Sequence, residues 1–273
     1  MPQKYKENFL EEAYKYIEEN NKTITEAAKY FNVDRHTLSR RLKSKYGDDI
    51  IKNINNKKEV DSNYFEKIDT EEKAYWLGFL TADGYISSND NAIELCLKAE
   101  DKEHIEKFKK DLKSNHKISK KSSRLNNKTF DAYRISIQDI KLNKDLHFLG
   151  LNNKKSNNAY IPFRFIPNEL MPHYIRGLFD GDGSLYKLNK GKQIGVTICT
   201  TISEYMIEDI TKYIKKELNI DVKYNNSRNV TDIRIYKTSD VNKFYNWLYK
   251  DANIYLKRKY DKFAALGQGY KKS

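Results

Sequence analysis

Two stretches of sequence, WLGFLTADG at 76–84 and IRGLFDGDG at 175–183, share a pattern that predicts the core of this chain. Both are rich in apolar and small residues, and both end in Asp-Gly. Asp69 and Glu72 are spaced as a capping box ahead of the first stretch, and Pro172 suits the first turn of a helix ahead of the second. Glycine is a common residue at a helix end. The pattern therefore predicts two helices, each ending at its Asp-Gly pair.

Small residues are spaced four apart in both predicted helices, so each pair lies on one helix face. Side chains this small allow two helix backbones to approach closely. We therefore predict a helix–helix interface formed by Gly78, Ala82, Gly177 and Gly181. That packing brings Asp83 and Asp182 side by side at two helix C-termini, where each helix dipole adds roughly half a negative charge. A hard divalent cation with oxygen ligands, Mg²⁺ (or Mn²⁺), would neutralise this cluster and could activate a water against a phosphodiester.

The two stretches begin the halves of an internal repeat that runs from about residue 69 to residue 263. After its first helix, each half continues with two strands, a charged helix, two more strands and a last helix. YRISI in the first half corresponds to DIRIY in the second, which pairs Arg134 with Arg234. The predicted fold is α+β: a pseudo-symmetric, duplicated αββαββα core with two antiparallel four-stranded sheets, divided into repeats at 69–160 and 161–273.

The sequence of residues 1–47 predicts a small all-α domain of the helix-turn-helix type. Thr25 and Asp34 are predicted caps of its second and third helices. The third helix presents basic residues suited to base edges and phosphates, namely Arg35, His36, Arg40 and Arg41. A small helical bundle with a solvated basic face is the alternative. Residues 48–68 are polar and are interpreted as a linker.

The formal net charge of +13 over 273 residues favours a polyanionic partner, and nucleic acid is the commonest one in a cell. No run approaches the roughly 20 apolar residues of a membrane span, and the N-terminus has no apolar signal-peptide core. A cytoplasmic protein without a membrane partner is therefore expected. The only two cysteines, Cys96 and Cys199, lie in apolar strand-like runs and are predicted to be buried small hydrophobes.

At its two motifs, and over roughly residues 70–263, the chain resembles the LAGLIDADG homing endonucleases. The resemblance implies that the two motif helices form the interface between the halves and that the two sheets form a saddle in the DNA major groove. It also implies that the last acidic residue of each motif binds metal together with a neighbouring backbone carbonyl. In this chain those ligands are Asp83 and Asp182, with the carbonyls of Ala82 and Gly181. The first motif has Thr81 where the family carries its other Asp, whereas the second keeps Asp180; this position is not a metal ligand in the family.

The same resemblance implies a basic residue near the end of each repeat that polarises water or phosphate. Lys155 and Lys259 are the favoured candidates, and Lys154 and Lys257 are the alternatives. Lys98 and Thr200, at strand ends that the repeat makes equivalent, are candidates for ordering water.

The predicted strands alternate polar and basic residues, so that one set faces away from the core. The candidate DNA-binding residues on the strands and their flanks are Lys117, Lys120, Lys121, Arg124, Arg134, Lys187, Lys192, Arg228, Arg234 and Lys237. An ordinary solvated sheet face is the alternative for any one of them.

We therefore predict a monomeric, metal-dependent endonuclease that makes a double-strand break at a long site in duplex DNA, in the homing of an intron or of a free-standing mobile element. The main alternative is a non-cleaving DNA-binding regulator, or an RNA maturase, built on the same fold. A protein-splicing intein is disfavoured because it needs a Cys or Ser at its first residue and a terminal His-Asn.

Overall fold

The computed structural model describes residues 8–20, 22–48, 59–125, 128–151, 163–191, 193–200, 203–227 and 230–269. They form two compact units, Met1–Glu59 and Val60–Ser273. Within those ranges, no helix is both long and apolar enough to cross a bilayer.

The N-terminal unit is built from three short helices around a small core. They are α1 (Phe9–Glu19), α2 (Ile24–Tyr30) and α3 (Arg35–Tyr46). Asp34 caps α3 as predicted, because its carboxylate accepts a hydrogen bond from the backbone N–H of Thr37 at 2.8 Å. The predicted cap of α2 is wrong: Thr23 and Glu26 form the capping box, and the hydroxyl of Thr25 instead accepts a hydrogen bond from Arg35.

The larger unit contains the predicted repeat. Its first half consists of α4 (Glu71–Asp83), β1 (Gly84–Ile86), β2 (Ala92–Lys98), α5 (Lys102–Asp111), β3 (Ser119–Leu125), β4 (Lys128–Gln138) and α6 (Ile140–Phe148). Its second half consists of α7 (Met171–Asp182), β5 (Gly183–Leu188), β6 (Gln193–Thr200), α8 (Glu204–Leu218), β7 (Lys223–Ser227), β8 (Val230–Ile235) and α9 (Thr238–Tyr249). A further helix, α10 (Lys257–Gly269), follows the repeat.

Each half folds into one antiparallel four-stranded sheet, ordered β1-β2-β4-β3 in the first and β5-β6-β8-β7 in the second. This confirms the predicted α+β architecture. Apolar residues at alternate strand positions, such as Ile93 and Leu95 in β2, are fully buried, whereas their neighbours form an open face. The open faces are therefore the surfaces that the fold leaves available to a partner.

Helices α4 and α7 pack on each other with their backbones in contact, as the small residues predicted. A Cβ atom built on Gly78 would lie 2.0 Å from the carbonyl oxygen of Tyr174, and one built on Gly177 would lie 2.0 Å from that of Tyr75. Because a side chain cannot fit at either position, glycine is required there. This close contact joins the two halves into a single hydrophobic core.

Two predictions about the start of the larger unit are wrong. Thr70, and not Asp69, caps α4 by accepting a hydrogen bond from the backbone N–H of Lys73. Residues 60–68 are not linker, because Phe65 is 1% exposed and Ile68 is 5% exposed within the core. The four apolar residues of this segment, Val60, Tyr64, Phe65 and Ile68, are outnumbered by polar ones, which favoured the interpretation as a linker.

The cysteines are exposed, which corrects the prediction that they are buried. Leu95 and Leu97 point into the core, so Cys96 between them lies on the open face. Leu95 pairs with Gly84 and Ile198 pairs with Gly183, so Cys96 and Cys199 occupy equivalent positions in the two sheets.

Strand register also corrects the predicted equivalence of Arg134 and Arg234. Cys96 pairs with Arg134, whereas Cys199 pairs with Asp232. Arg134 is therefore equivalent to Asp232, and Arg234 lies two residues further along its strand. The connections between strands differ in length in the two halves, so that no single offset relates them.

Candidate active site and nucleic-acid interface

Asp83 and Asp182 are the last residues of α4 and α7, the two helices in backbone contact. A Cβ atom built on Gly181 would lie 3.4 Å from Oδ2 of Asp83, so the carboxylate from one half lies against the backbone of the other. Asp83 is exposed and Asp182 is partly buried. Both carboxylates are close enough to Lys259 to act on its pKa. The structure thus brings the two predicted acidic residues and one predicted lysine together.

Lys259 is the basic residue of this cluster and is only 7% exposed. Its ammonium group donates hydrogen bonds to the carbonyl oxygens of Phe179 and Gly181, both at 2.8 Å, at the C-terminal end of α7. Burial lowers the pKa of Lys259 to about 8, although the negative charges of Asp180, Asp83 and Asp182 oppose that shift. The helix that carries Lys259, α10, was not predicted from the sequence.

The other candidates are two exposed lysines and three positions that lie wholly or partly outside the described residues. Lys98 is exposed at the end of β2, on the open face. Lys257 is also exposed and pairs with Asp261 one turn further along α10. Lys154 and Lys155 lie outside the described residues, and of Thr200 only the backbone pairing with Thr231 is described.

The donor set at the helix ends fits a hard divalent cation. Two carboxylates and the carbonyls of Ala82 and Gly181 offer only oxygen atoms, the ligands that Mg²⁺ and Mn²⁺ prefer. No group of three or more His, Cys, Asp and Glu side chains that could hold a metal occurs among the described residues. Bound ions would therefore need water or phosphate oxygens to complete their coordination, as Mg²⁺ commonly does beside a phosphorylated substrate.

Behind the aspartates lies a buried polar network centred on Asp180. Its carboxylate is fully buried and accepts hydrogen bonds from the hydroxyls of Tyr249 and Tyr75, and from the backbone N–H of Leu256 at 2.7 Å. Burial raises the pKa of Asp180, and the three donors and Lys259 counteract that shift. At the equivalent position of α4, the hydroxyl of Thr81 donates within its own helix, to the carbonyl of Leu77.

His104 extends the network, since its Nε2 atom lies 2.8 Å from the hydroxyl of Tyr75. Burial lowers the pKa of His104 to about 3, so the folded protein holds it neutral. The unfolded chain takes up that proton below about pH 6.5. The histidine therefore makes the folded state progressively less stable as the pH falls from 6.5 towards 3.

We expect protonation of His104 in the unfolded chain to lower the unfolding free energy by about 2–3 kcal/mol between pH 7 and pH 4.5. Denaturant unfolding at the two pH values checks this, with His104→Gln as the comparison because an amide can still reach Tyr75. The variant should lose less stability over that interval. An identical loss in both proteins would show that other groups cause the dependence.

The open face of the first sheet presents a mixture of basic, acidic and small polar residues. Register places Lys121, Arg134 and Lys98 on it. The guanidinium of Arg134 lies 3.4 Å from a carboxylate oxygen of Glu94, which holds the arginine over the sheet.

The open face of the second sheet carries Arg234, whose guanidinium pairs with Asp232 at 2.6 Å and with the hydroxyl of Tyr236 at 3.4 Å. These contacts raise the pKa of Arg234, so its charge is permanent. Lys223 pairs with Arg234 across the strands and shares the face.

Lys120 and Lys187, two predicted DNA-binding lysines, are exposed but lie on the opposite faces of the sheets, on which most strand residues are buried. Lys120 pairs with Tyr133 in the register and forms an ion pair with Asp131 at 2.6 Å. Lys187 pairs with Ile194, on the face that is buried along most of the strand. Both placements follow from alternation, because adjacent strand residues cannot share a face.

The remaining sheet candidates are either exposed next to a strand or helix or not fully described. Lys117 is exposed before β3, and Lys237 is exposed next to the start of α9. Lys192 and Arg228 lie outside the described residues, and only the backbone of Arg124 is described.

In the N-terminal unit the predicted basic residues are all exposed along α3: Arg35, His36, Arg40 and Arg41. Leu38 and Leu42 of the same helix are buried, so the helix has one apolar and one basic face. The assignment of this unit as a helix-turn-helix DNA-binding module remains a prediction.

Residues 169–248 match the family model of a LAGLIDADG-like domain, and residues 72–141 match that of the WhiA LAGLIDADG-like domain. The homing endonuclease I-WcaI bound to its DNA recognition sequence has a similar fold, with a TM-score of 0.57 and 16% identity over 72% of this chain and 90% of that one. The N-terminal LAGLIDADG domain of DUF199/WhiA aligns with a TM-score of 0.47 and 18% identity over 74% of this chain and 92% of that one.

Replication factor C small subunit of Methanocaldococcus jannaschii is 27% identical over 171 residues, which is 61% of this chain. The match spans 8% of the length of that curated protein. Taken with the duplicated αββαββα topology, the two matching domains and the similar structure show that this chain has the LAGLIDADG fold.

Proposed function

We propose that this chain is a divalent-metal-dependent endonuclease that makes a double-strand break at a long recognition site in DNA, as part of the homing of an intron or a free-standing mobile element. The observation that carries the proposal is the meeting of Asp83 and Asp182 at the ends of two helices in backbone contact. Without a cation, two carboxylates at two negative helix ends repel each other. One acidic residue from each half suits a reaction that must occur once on each strand.

The residues at the helix ends have separate roles in this proposal. Asp83 and Asp182, with the carbonyls of Ala82 and Gly181, would hold Mg²⁺ or Mn²⁺, which supplies an activated water and charge stabilisation at the phosphate. Lys259, fixed by Phe179 and Gly181, places a positive charge beside the carboxylates.

The partner is inferred to be duplex DNA on two grounds. The net charge of +13 favours binding to a phosphate backbone, with an affinity that falls as the salt concentration rises. The similar structure I-WcaI is a complex with its DNA recognition sequence. The open faces, which carry Arg134, Arg234 and Lys121, are the surfaces we assign to the DNA.

The proposal is tested by incubating the full chain with a randomised duplex library, and with DNA that carries candidate insertion sites, in the presence of Mg²⁺ or of a chelator. Sequencing of the cleaved ends should return one long consensus, and only with Mg²⁺ present. Cleavage that persists in the chelator contradicts the metal-dependent mechanism, and binding without any cleavage supports the second candidate.

That second candidate is a DNA-binding protein that does not cut. It is kept because the first half of the chain matches a domain model named after WhiA and not after a nuclease. An RNA maturase on the same fold is distinguished by preferential binding of structured RNA over duplex DNA.

The cysteines provide a direct test of the proposed interface. Cys96 and Cys199 are the only cysteines in the chain, and both are exposed on the open faces. We expect bound target DNA to slow their alkylation about tenfold or more, because a ligand shields the sites that it covers in proportion to its occupancy. A thiol placed on the helical side by Glu204→Cys should react at the same rate with and without DNA. Unprotected Cys96 and Cys199 in a DNA-bound sample would place the DNA elsewhere.

The N-terminal unit is expected to extend the DNA site. Deleting residues 1–58 leaves the larger unit, which begins at Val60, intact. The shortened chain should still cut, but with a shorter footprint on one flank and a weaker salt dependence of binding, because phosphate contacts are lost. Arg40→Ala in the full chain should weaken DNA binding, but it should leave the sequence preference at the cleavage site unchanged. A footprint of unchanged length after the deletion would show that the unit does not contact DNA.

A further inference from the structure

The start of α10 is held by two acidic residues that come from different halves of the repeat. The helix carries Lys259, whose buried ammonium group donates hydrogen bonds to the carbonyl oxygens of Phe179 and Gly181, next to Asp182. Since Lys259 reaches Gly181 from the first turn of α10, the position of that turn sets the position of its ammonium group.

The first anchor is Asp180 of α7. Its Oδ2 atom accepts a hydrogen bond from the backbone N–H of Leu256 at 2.7 Å. The carbonyl of Leu256 in turn accepts hydrogen bonds from the backbone N–H groups of Lys259 at 3.0 Å and Tyr260 at 3.1 Å. A chain of two hydrogen bonds therefore connects the Asp180 carboxylate to the backbone of Lys259.

The second anchor is Asp101, which lies between β2 and α5 in the first half. Its carboxylate is 5% exposed and accepts a bifurcated hydrogen bond from the Nε–H of Arg258, at 2.8 Å to Oδ2 and 3.1 Å to Oδ1. Arg258 directly precedes Lys259, so the two anchors fix the turn from both halves.

The first anchor, Asp180, has no acidic counterpart in α4. Thr81 stands where Asp180 stands in α7, and its hydroxyl donates to Leu77 within the same helix. The carboxylate anchor is therefore present at this position in α7 and not in α4.

We propose that Asp180 and Arg258 are positioning residues for Lys259, and that through it they control the cleavage of one of the two DNA strands. This inference rests on the proposed nuclease function. Because a duplicated site cuts each strand at a separate position, displacing Lys259 slows one scission and spares the other. Cleavage then stops at a nicked intermediate.

The experiment uses supercoiled plasmid that carries the cleavage site, followed by sequencing gels that resolve each strand. Asp180→Thr copies the residue at the equivalent position of α4 and removes the anchor. We expect the rate constant of one strand to fall about tenfold or more, with accumulation of nicked circles, whereas the other strand and the binding of DNA change little. Lys259→Met should slow the same strand.

Two further variants separate positioning from stability. Arg258→Gln removes the second anchor at a side chain that is 40% exposed. It should slow cleavage of the same strand, even if Asp180→Thr fails to fold. Thr81→Val, at the equivalent position of α4, is the matched control and should leave the ratio of strand rates unchanged.

Equal slowing of both strands in the Arg258 and Asp180 variants, or a loss of DNA binding that accounts for the slower cleavage, overturns the proposal. A wild-type chain that binds the site and cuts neither strand refutes the nuclease function itself, and the positioning role with it.

Discussion

Asp83→Asn and Asp182→Asn are each expected to reduce double-strand cleavage by about a hundredfold or more, while the DNA is still bound. Both changes keep the size of the side chain and remove one negative charge from the helix ends, which weakens the hold on a divalent cation. The rate of DNA cleavage at saturating protein and the dissociation constant from a filter or fluorescence assay measure the two effects separately.

The direction of the binding change is itself informative. Removing a negative charge from the proposed DNA-facing site would reduce repulsion of the phosphates, so the variants should bind DNA as tightly as the wild type, or more tightly in a chelator. Glu204→Gln, the same chemical change at an exposed position of α8, is the control and should cut at the wild-type rate. Undiminished cleavage by both aspartate variants would remove the proposed site.

Gly177→Ala is expected to destabilise the larger unit by about 3 kcal/mol or more, at the upper end of the range for overpacking. The added Cβ would meet the carbonyl oxygen of Tyr75 at 2.0 Å and the backbone nitrogen of Phe79 at 2.7 Å. Both atoms belong to the backbone of the partner helix, so relief requires α4 and α7 to separate. Thermal or denaturant unfolding of the larger unit measures the effect.

Other glycines calibrate this result. Gly78→Ala should be equally damaging, because its Cβ meets the carbonyl oxygen of Tyr174 at 2.0 Å. Gly195→Ala should cost less, since the nearest atoms there belong to the side chain of Tyr186 at 2.8 Å. Gly47→Ala has no atom within 4 Å of the new Cβ and lies in the other unit, so it should leave the larger unit unchanged. Equal effects at all four positions would show that space at the helix interface is not the cause.

Separation of α4 from α7 would also impair DNA cleavage. The Asp83 carboxylate lies against Gly181, so separating the helices moves the two acidic residues apart. We therefore expect any Gly177 variant that still folds to lose cleavage more than binding.

The features that could be predicted from the sequence are those that depend on the spacing of residues within one helix or strand. The apolar stretches ending in Asp-Gly, with small residues four apart, were sufficient to predict the helix pair and its interface. Alternation was sufficient to predict the two sheets, although it was not applied to Cys96, Lys120 and Lys187, whose faces it also determines. Asp34 was recognised as a cap, whereas Thr23 and Thr70 were missed because a neighbouring polar residue fitted the same pattern.

The duplicated core and its two acidic residues could be predicted from the amino-acid sequence, because spacing within one helix or strand is a local property. The tertiary structure alone decided which lysine meets those residues, what holds it there and which residues of the two halves are equivalent. The backbone contact of Leu256 with Asp180, the ion pair of Arg258 with Asp101 and the register of β8 each join segments far apart in the chain. Such contacts depend on how the helices and sheets pack, and no spacing within a single segment encodes them.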